Sequence, residues 1–192
     1  MPEKKYTPLT GFNIANVECV KIVTRETQPV THVFKTTTKF TAEPKLEEGQ
    51  EVAQRVKNTV MGRIKTDDLL SGYNLSCEDE RFIPQVIALV DGGSWDGEAP
   101  TKKYTGPKAG EATARTAFDA YLYTSDRGAG GEIKNRLEWK FPNCKGKPVK
   151  FGGEDNAFTK QPYEFESRPE DGEAAYEVSV VDEFPDEETT GS

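Results

Sequence analysis

Histidine is nearly absent from this chain. A single one, His32, occurs in 192 residues, so a catalytic triad or an imidazole-ligated metal centre would have to be built on it. It stands among threonines with no Ser, Cys or Asp motif marking a partner, and an ordinary strand position is the simpler reading. Cysteine is scarce too. Cys19, Cys77 and Cys144 are odd in number and far apart, which fits neither a disulfide framework nor a thiolate metal site and leaves reduced thiols. Long apolar runs are missing: the longest, Val86–Val90, falls far short of the ~20 residues of a membrane-crossing helix. The start, Met1-Pro2-Glu3-Lys4-Lys5-Tyr6-Thr7-Pro8, lacks the apolar stretch of a signal peptide. The expectation is a protein made in the cytoplasm with no membrane partner.

Clusters of one chemistry are equally hard to find. Lys and Arg are interleaved along the chain and form no stripe with aromatics, which leaves a nucleic-acid-binding face without support. Gly128-Ala129-Gly130-Gly131 invites a phosphate-loop reading, but no Lys-Ser/Thr follows and the next segment has a strand pattern. Asp91-Gly92-Gly93-Ser94-Trp95-Asp96-Gly97-Glu98 offers carboxylates to calcium, yet lacks the every-other-residue ligand spacing and distal Glu of a calcium loop. It reads better as a turn that ends a helix. Asp67-Asp68 and Glu154-Asp155 resemble glycosidase pairs only by adjacency, which 33 acidic residues produce by chance. No catalytic residue, cofactor or metal ligand is assigned, and an enzyme is not expected.

What is present is alternation. Ile133, Leu137, Trp139 and Phe141 share one face of an extended segment while Lys134, Arg136, Glu138 and Lys140 share the other, the pattern of a strand with one buried side. Tyr73, Leu75 and Cys77 alternate likewise, as do Phe118, Ala120 and Leu122, and Tyr176, Val178 and Val180. Thr31–Thr41 is rich in β-branched and aromatic residues and predicts one long strand. The glycines of 125–131 predict a hairpin joining Thr116–Thr124 to Ile133–Phe141. One segment breaks the pattern: Phe82, Ile83, Val86, Ile87 and Val90 form a helical stripe, with Pro84 at its start and Gly92-Gly93 at its end. Glu78, Asp79 and Glu80 precede it, where the helix dipole favours acids. Ala42–Thr59 and Asp91–Glu111 look irregular. With 34% apolar and 30% charged residues, the expectation is a single all-β domain, a β-sandwich or open barrel with one short flanking helix. Charge is uneven along it. Residues 164–192 hold 11 acidic residues and one basic, so the net charge of −8 resides in that end, which reads as a solvated terminus.

Two stretches carry a resemblance. Gly72-Tyr73-Asn74-Leu75 through Phe82-Ile83-Pro84-Gln85-Val86-Ile87-Ala88-Leu89-Val90-Asp91-Gly92-Gly93, and Pro162–Pro169 followed by Tyr176 and Val181-Asp182-Glu183-Phe184-Pro185, resemble segments of the major tail (tail-tube) proteins of tailed bacteriophages and prophages of Gram-positive bacteria. The likeness spans roughly residues 30–185, and its motifs are packing motifs. Ile83 departs from the family pattern, which has a polar capping residue before the proline; the departure weakens the helix cap by ~1 kcal/mol.

The resemblance implies a homo-hexameric ring, rings stacked into a tube, DNA as passing cargo, and a place in the virion tail. Its implied partners are copies of itself and the tape measure, tail terminator and distal tail proteins. It implies one domain over 1–185 with an N-terminal arm (1–29) and an acidic tail (186–192). A loop in such proteins bridges adjacent rings; the candidate is Ala42–Thr59, with Glu43, Lys45, Glu47, Glu48, Glu51, Arg55 and Lys57 as its charged residues. The alternatives are a phage decoration or baseplate protein, or a carbohydrate- or host-surface-binding sandwich using Trp95 and Tyr104.

Overall fold

A computed structural model describes residues 11–57, 59–98 and 102–185. Among them the chain is all-β with one short helix, as the alternation requires. The main sheet is antiparallel with strand order β2-β1-β9-β10-β11-β6-β3. Its strands are β1 (Ile14–Thr24), β2 (Thr31–Phe34), β3 (Thr37–Glu47), β6 (Leu69–Asp79), β9 (Phe118–Arg127), β10 (Ile133–Gly146) and β11 (Gln161–Ser167). Two further ribbons, β4 (Glu51–Val56) with β5 (Thr59–Lys65) and β7 (Ser94–Asp96) with β8 (Lys103–Thr105), stand apart from it. β12 (Glu177–Val181) adds to the main sheet along β10.

β10 is long enough to fork the sheet. One edge pairs with β9 along most of its length, as the glycine turn requires: Gly131 N–H donates to the Gly128 carbonyl at 3.0 Å. The other edge is shared, with β12 along 136–140 and β11 along 144–146. A bulge between Phe141 and Cys144, where Asn143 has φ 47°, lets the two branches part.

The long strand expected over Thr31–Thr41 is broken at Lys35-Thr36. Asp79, fully buried, is the cause: its carboxylate accepts bonds from the Thr36 hydroxyl at 2.6 Å, the Thr37 hydroxyl at 3.2 Å and the Arg81 N–H at 2.8 Å. Those bonds turn the chain between β2 and β3. The break has a global result, because β2 and β3 are the two opposite edges of the sheet. Phe34 and Thr37 are three residues apart and so within about 11 Å. The sheet is therefore curled until its edges meet, an open barrel.

The barrel's interior is apolar. Val20 and Ile22 of β1, Leu75 of β6, Phe118 of β9, Phe141 of β10 and Phe165 of β11 are all buried in it. Phe118 and Phe165 meet edge to face at 5.5 Å, a favoured arrangement for paired rings. The helix α1 (Pro84–Asp91) adds Val86, Ile87 and Val90 to the same core. It begins on its proline and ends where Gly92, at φ 84°, donates to the Ala88 carbonyl at 3.0 Å. A Cβ on Gly146 would lie 2.0 Å from the Val90 carbonyl, so a glycine there is what lets the helix backbone rest on β10. Ile83 gives the helix no side-chain cap. Glu78 and Asp79 are the last residues of β6 and do not serve the helix terminus; the first turn is without acids.

Three sequence expectations need correction. Ala42–Thr59 is not irregular: it comprises the second half of β3, a short link and β4. Its charges alternate on strands that face water, so no apolar periodicity reveals them. Within Asp91–Glu111 the ribbon β7–β8 sets Trp95 opposite Tyr104. An arm over 1–29 does not describe 14–24 either, since β1 lies inside the sheet. Residues 1–10 and the acidic stretch 186–192 lie outside the described residues. No helix among the described residues is long and apolar enough to cross a membrane.

Candidate functional site

β3 and β6 run past the body of the barrel and hand over to the β4–β5 ribbon. Gly49 N–H donates to the Asp68 carboxylate at 2.9 Å, and Gln50 N–H to the Thr66 hydroxyl at 2.8 Å. Thr66 N–H returns a bond to the Gln50 carbonyl at 3.1 Å. These bonds form a braced elbow between the barrel and the ribbon.

The register of the ribbon sorts its side chains by face. Val52 lies opposite Ile64, while Glu51 lies opposite Lys65 and Ala53 opposite Arg63. Val52 and Ile64 thus share a face with the next pair, Gln54 and Gly62, while Glu51, Arg63 and Lys65 lie on the other, where Arg63 and Glu51 form an ion pair at 3.7 Å. Neither face is covered: Val52 is 62% and Ile64 73% exposed. Across the elbow, in the main sheet, Leu46 lies opposite Leu70 and both are exposed, as is Leu69 on the other face. An isolated two-stranded hairpin is at best marginally stable in water, and a ribbon of this kind gains stability by packing against something.

The structure divides the charged residues read from the sequence. Glu43 and Lys45 belong to the barrel, opposite Asn74 and Gly72. Lys45 is engaged within its own chain, bound to the Glu166 carboxylate. Arg168 also binds Glu166, through two bonds of 3.2 Å. Arg168 first and Lys45 second hold the Glu166 carboxyl far below the usual carboxylate range, at about 2. Glu47 and Glu48 are exposed near the elbow, Glu51 and Arg55 lie in β4 opposite Lys65 and Val60, and Lys57 sits at the ribbon's tip with φ 56°. Only these five lie at or beyond the elbow. What charge counting missed is the Val52–Ile64 pair, for which Ile64 between Arg63 and Lys65 was the available signal.

Elsewhere the chemistry is structural. Tyr104 turns inward, its hydroxyl donating to Asp91 at 2.6 Å, so it forms no platform for a sugar with Trp95. The other carboxylate oxygen of Asp91 accepts the Val149 N–H at 3.1 Å. Burial and the Asp91 carboxylate push the Tyr104 phenol upward. His32 is paired into β2 opposite Ile22, and burial lowers its pKa. All three cysteines are free and buried, with the Cys19 and Cys144 thiols pushed up to about 12 by burial. No group of three His, Cys, Asp or Glu residues among the described residues is placed to hold a metal ion.

No protein-family model matches the chain. No curated protein matches it.

Proposed function

We propose that this protein is a structural subunit that assembles with copies of itself, the tail-tube protein of a tailed phage or prophage, forming stacked rings that conduct DNA. The observation that carries the reading is the β4–β5 ribbon: a braced projection on which Val52 and Ile64 pair with both side chains open to water. Contiguous exposed apolar surface on a soluble chain marks an interaction site. The tail-tube-like motifs at 72–93 and 162–185 support the same reading. The inward-turned Tyr104 counts against a carbohydrate-binding module.

Negative-stain microscopy of the purified chain over a concentration series tests it. Rings or tubes are expected. A chain that stays monomeric by light scattering at high concentration, under every salt condition, refutes the proposal. In the assembled state, the Val52/Ile64 face becomes covered and the ribbon's amides slow in hydrogen exchange.

A further inference from the structure

Where β11 ends, burial ends with it. Ser167 is fully buried, and from Arg168 to Pro185 no residue is. This stretch nevertheless follows the barrel closely. It leaves the body at Asn143, whose backbone carbonyl accepts the Arg168 N–H at 3.1 Å and whose side-chain amide donates to the Arg168 carbonyl at 2.6 Å. It returns as β12, along the edge of β10 from Lys140 to Arg136. Among the described residues no strand pairs with the other edge of β12. Val178 and Val180, although opposite Trp139 and Leu137, stay largely exposed. Pairing along one edge with little apolar burial is a weak hold on a strand.

Contacts on either side of β12 fasten the stretch at three points. The first is Arg25, the residue that follows β1: its Nε donates to the Asp119 carboxylate of β9 at 2.5 Å and its Nη2 to the Glu173 carboxylate at 2.8 Å. Asp119 also accepts the Asn143 N–H at 2.9 Å, and Glu173 closes a turn by accepting the Glu170 N–H at 3.0 Å. One guanidinium thus bridges a carboxylate of the barrel and a carboxylate of the 170–173 turn. The second point is Tyr176, edge-on to Tyr73 with ring centres 5.4 Å apart. The third is Phe184, beyond β12, whose ring lies 6.4 Å from that of Tyr123 and 5.3 Å from the Arg136 guanidinium.

We propose that residues 168–185 are a strap that opens as one unit while the barrel stays folded, with the Arg25–Glu173 contact as its latch. Opening takes no core side chain into water, because the strap contributes none. It breaks one edge of backbone pairing, the latch, the Lys140–Glu177 ion pair at 3.5 Å and two aromatic contacts, a small set beside the bonds and packing of the whole barrel. It bares the 136–140 edge of β10, an unpaired strand edge of the kind that takes up another strand, together with the Tyr123 ring. The latch is ionic and partly open to solvent, so ionic strength controls it. The strap is a property of the single subunit, independent of the assembly reading above.

Residue-resolved hydrogen exchange on the full chain, kept dilute enough to remain unassembled, is the test. In the parent, the amides that β12 and β10 share are expected to exchange together and faster than those of β9 with β1 or β11 with β6. Glu173→Ala and Phe184→Ala alter opposite ends of the strap, and neither residue is buried. Each is expected to speed the whole 177–181 set by about tenfold, uniformly along the strand, and to leave β9 and β11 as they were. Salt at about 1 M is expected to speed the parent towards the Glu173→Ala rate and to change that variant little. Amides of β12 that exchange as slowly as those of β9, through global unfolding alone, overturn the proposal. So does a variant that acts only on the residues beside its own substitution, since the two ends are then independent. An equal salt response in the parent and in Glu173→Ala overturns Arg25–Glu173 as the latch.

Discussion

Glu166 illustrates how a residue on the outside of a sheet comes to serve its own subunit. Its side chain is only 14% exposed, with Arg168 from its own strand end on one side and Lys45 from β3 on the other. A carboxyl whose pKa falls on folding stabilises the fold when ionised, so the sign is fixed. The contribution is complete above pH 4.5, the ordinary value, and is lost as pH falls towards about 2. Lys45→Met is expected to cost about 0.5–1 kcal/mol at neutral pH, the modest figure reflecting a lysine partly open to solvent. In urea titrations the gap between parent and variant should close as pH falls through that window. A gap of constant size would show that Lys45 acts through its hydrocarbon stem. The two-sided grip was illegible in the sequence, since Lys45 and Glu166 lie 121 residues apart and only the β3–β6–β11 order brings them together.

Elements with one dry face were the legible ones. The hairpin of β9 and β10 followed from alternation and glycine, and α1 from its stripe, because in each case burial imposes a period on the sequence. The β2–β3 corner had no such signature: Asp79, which makes it, lies some 40 residues downstream of the threonines it binds. The ribbon escaped notice for the opposite reason. With water on both faces, charged residues occupy strand positions that a core would forbid. β12 was recognised by alternation, yet its Val178 and Val180 are 45% and 58% exposed. Trp139 lies between them in character. It packs against the core, is half-buried, and donates its indole N–H to the Thr124 hydroxyl at 3.0 Å. Trp139→Ala is expected to destabilise by about 2–3 kcal/mol, at or below the low end for an aromatic removed from a sealed core. Chemical denaturation measures it, and a loss under about 1 kcal/mol would mean that the indole contributes little packing.

At the scale of the whole molecule, a conduit must let a polyanion slide without holding it. Holding phosphates takes clustered Lys and Arg, and this chain spreads 25 of them among 33 acids. Filter retention of duplex DNA at ~0.15 M salt is expected to be negligible, both for the full chain and after removal of residues 182–192, which carry five of the acids and no base. Salt-sensitive retention by either form would replace the conduit with a nucleic-acid-binding role. The curled sheet has one further consequence, and it is elastic. A sheet whose opposite edges are joined by a two-residue corner cannot flatten, and α1 packs into the same core, so each subunit is a stiff link. Compliance then concentrates in the elbow at 48–50 and 66–68, where four hydrogen bonds join its two legs. The proposed filament of such subunits would bend as a chain does, at its joints, and Thr66→Ala should shorten its persistence length in micrographs while leaving the melting temperature of the subunit where it was.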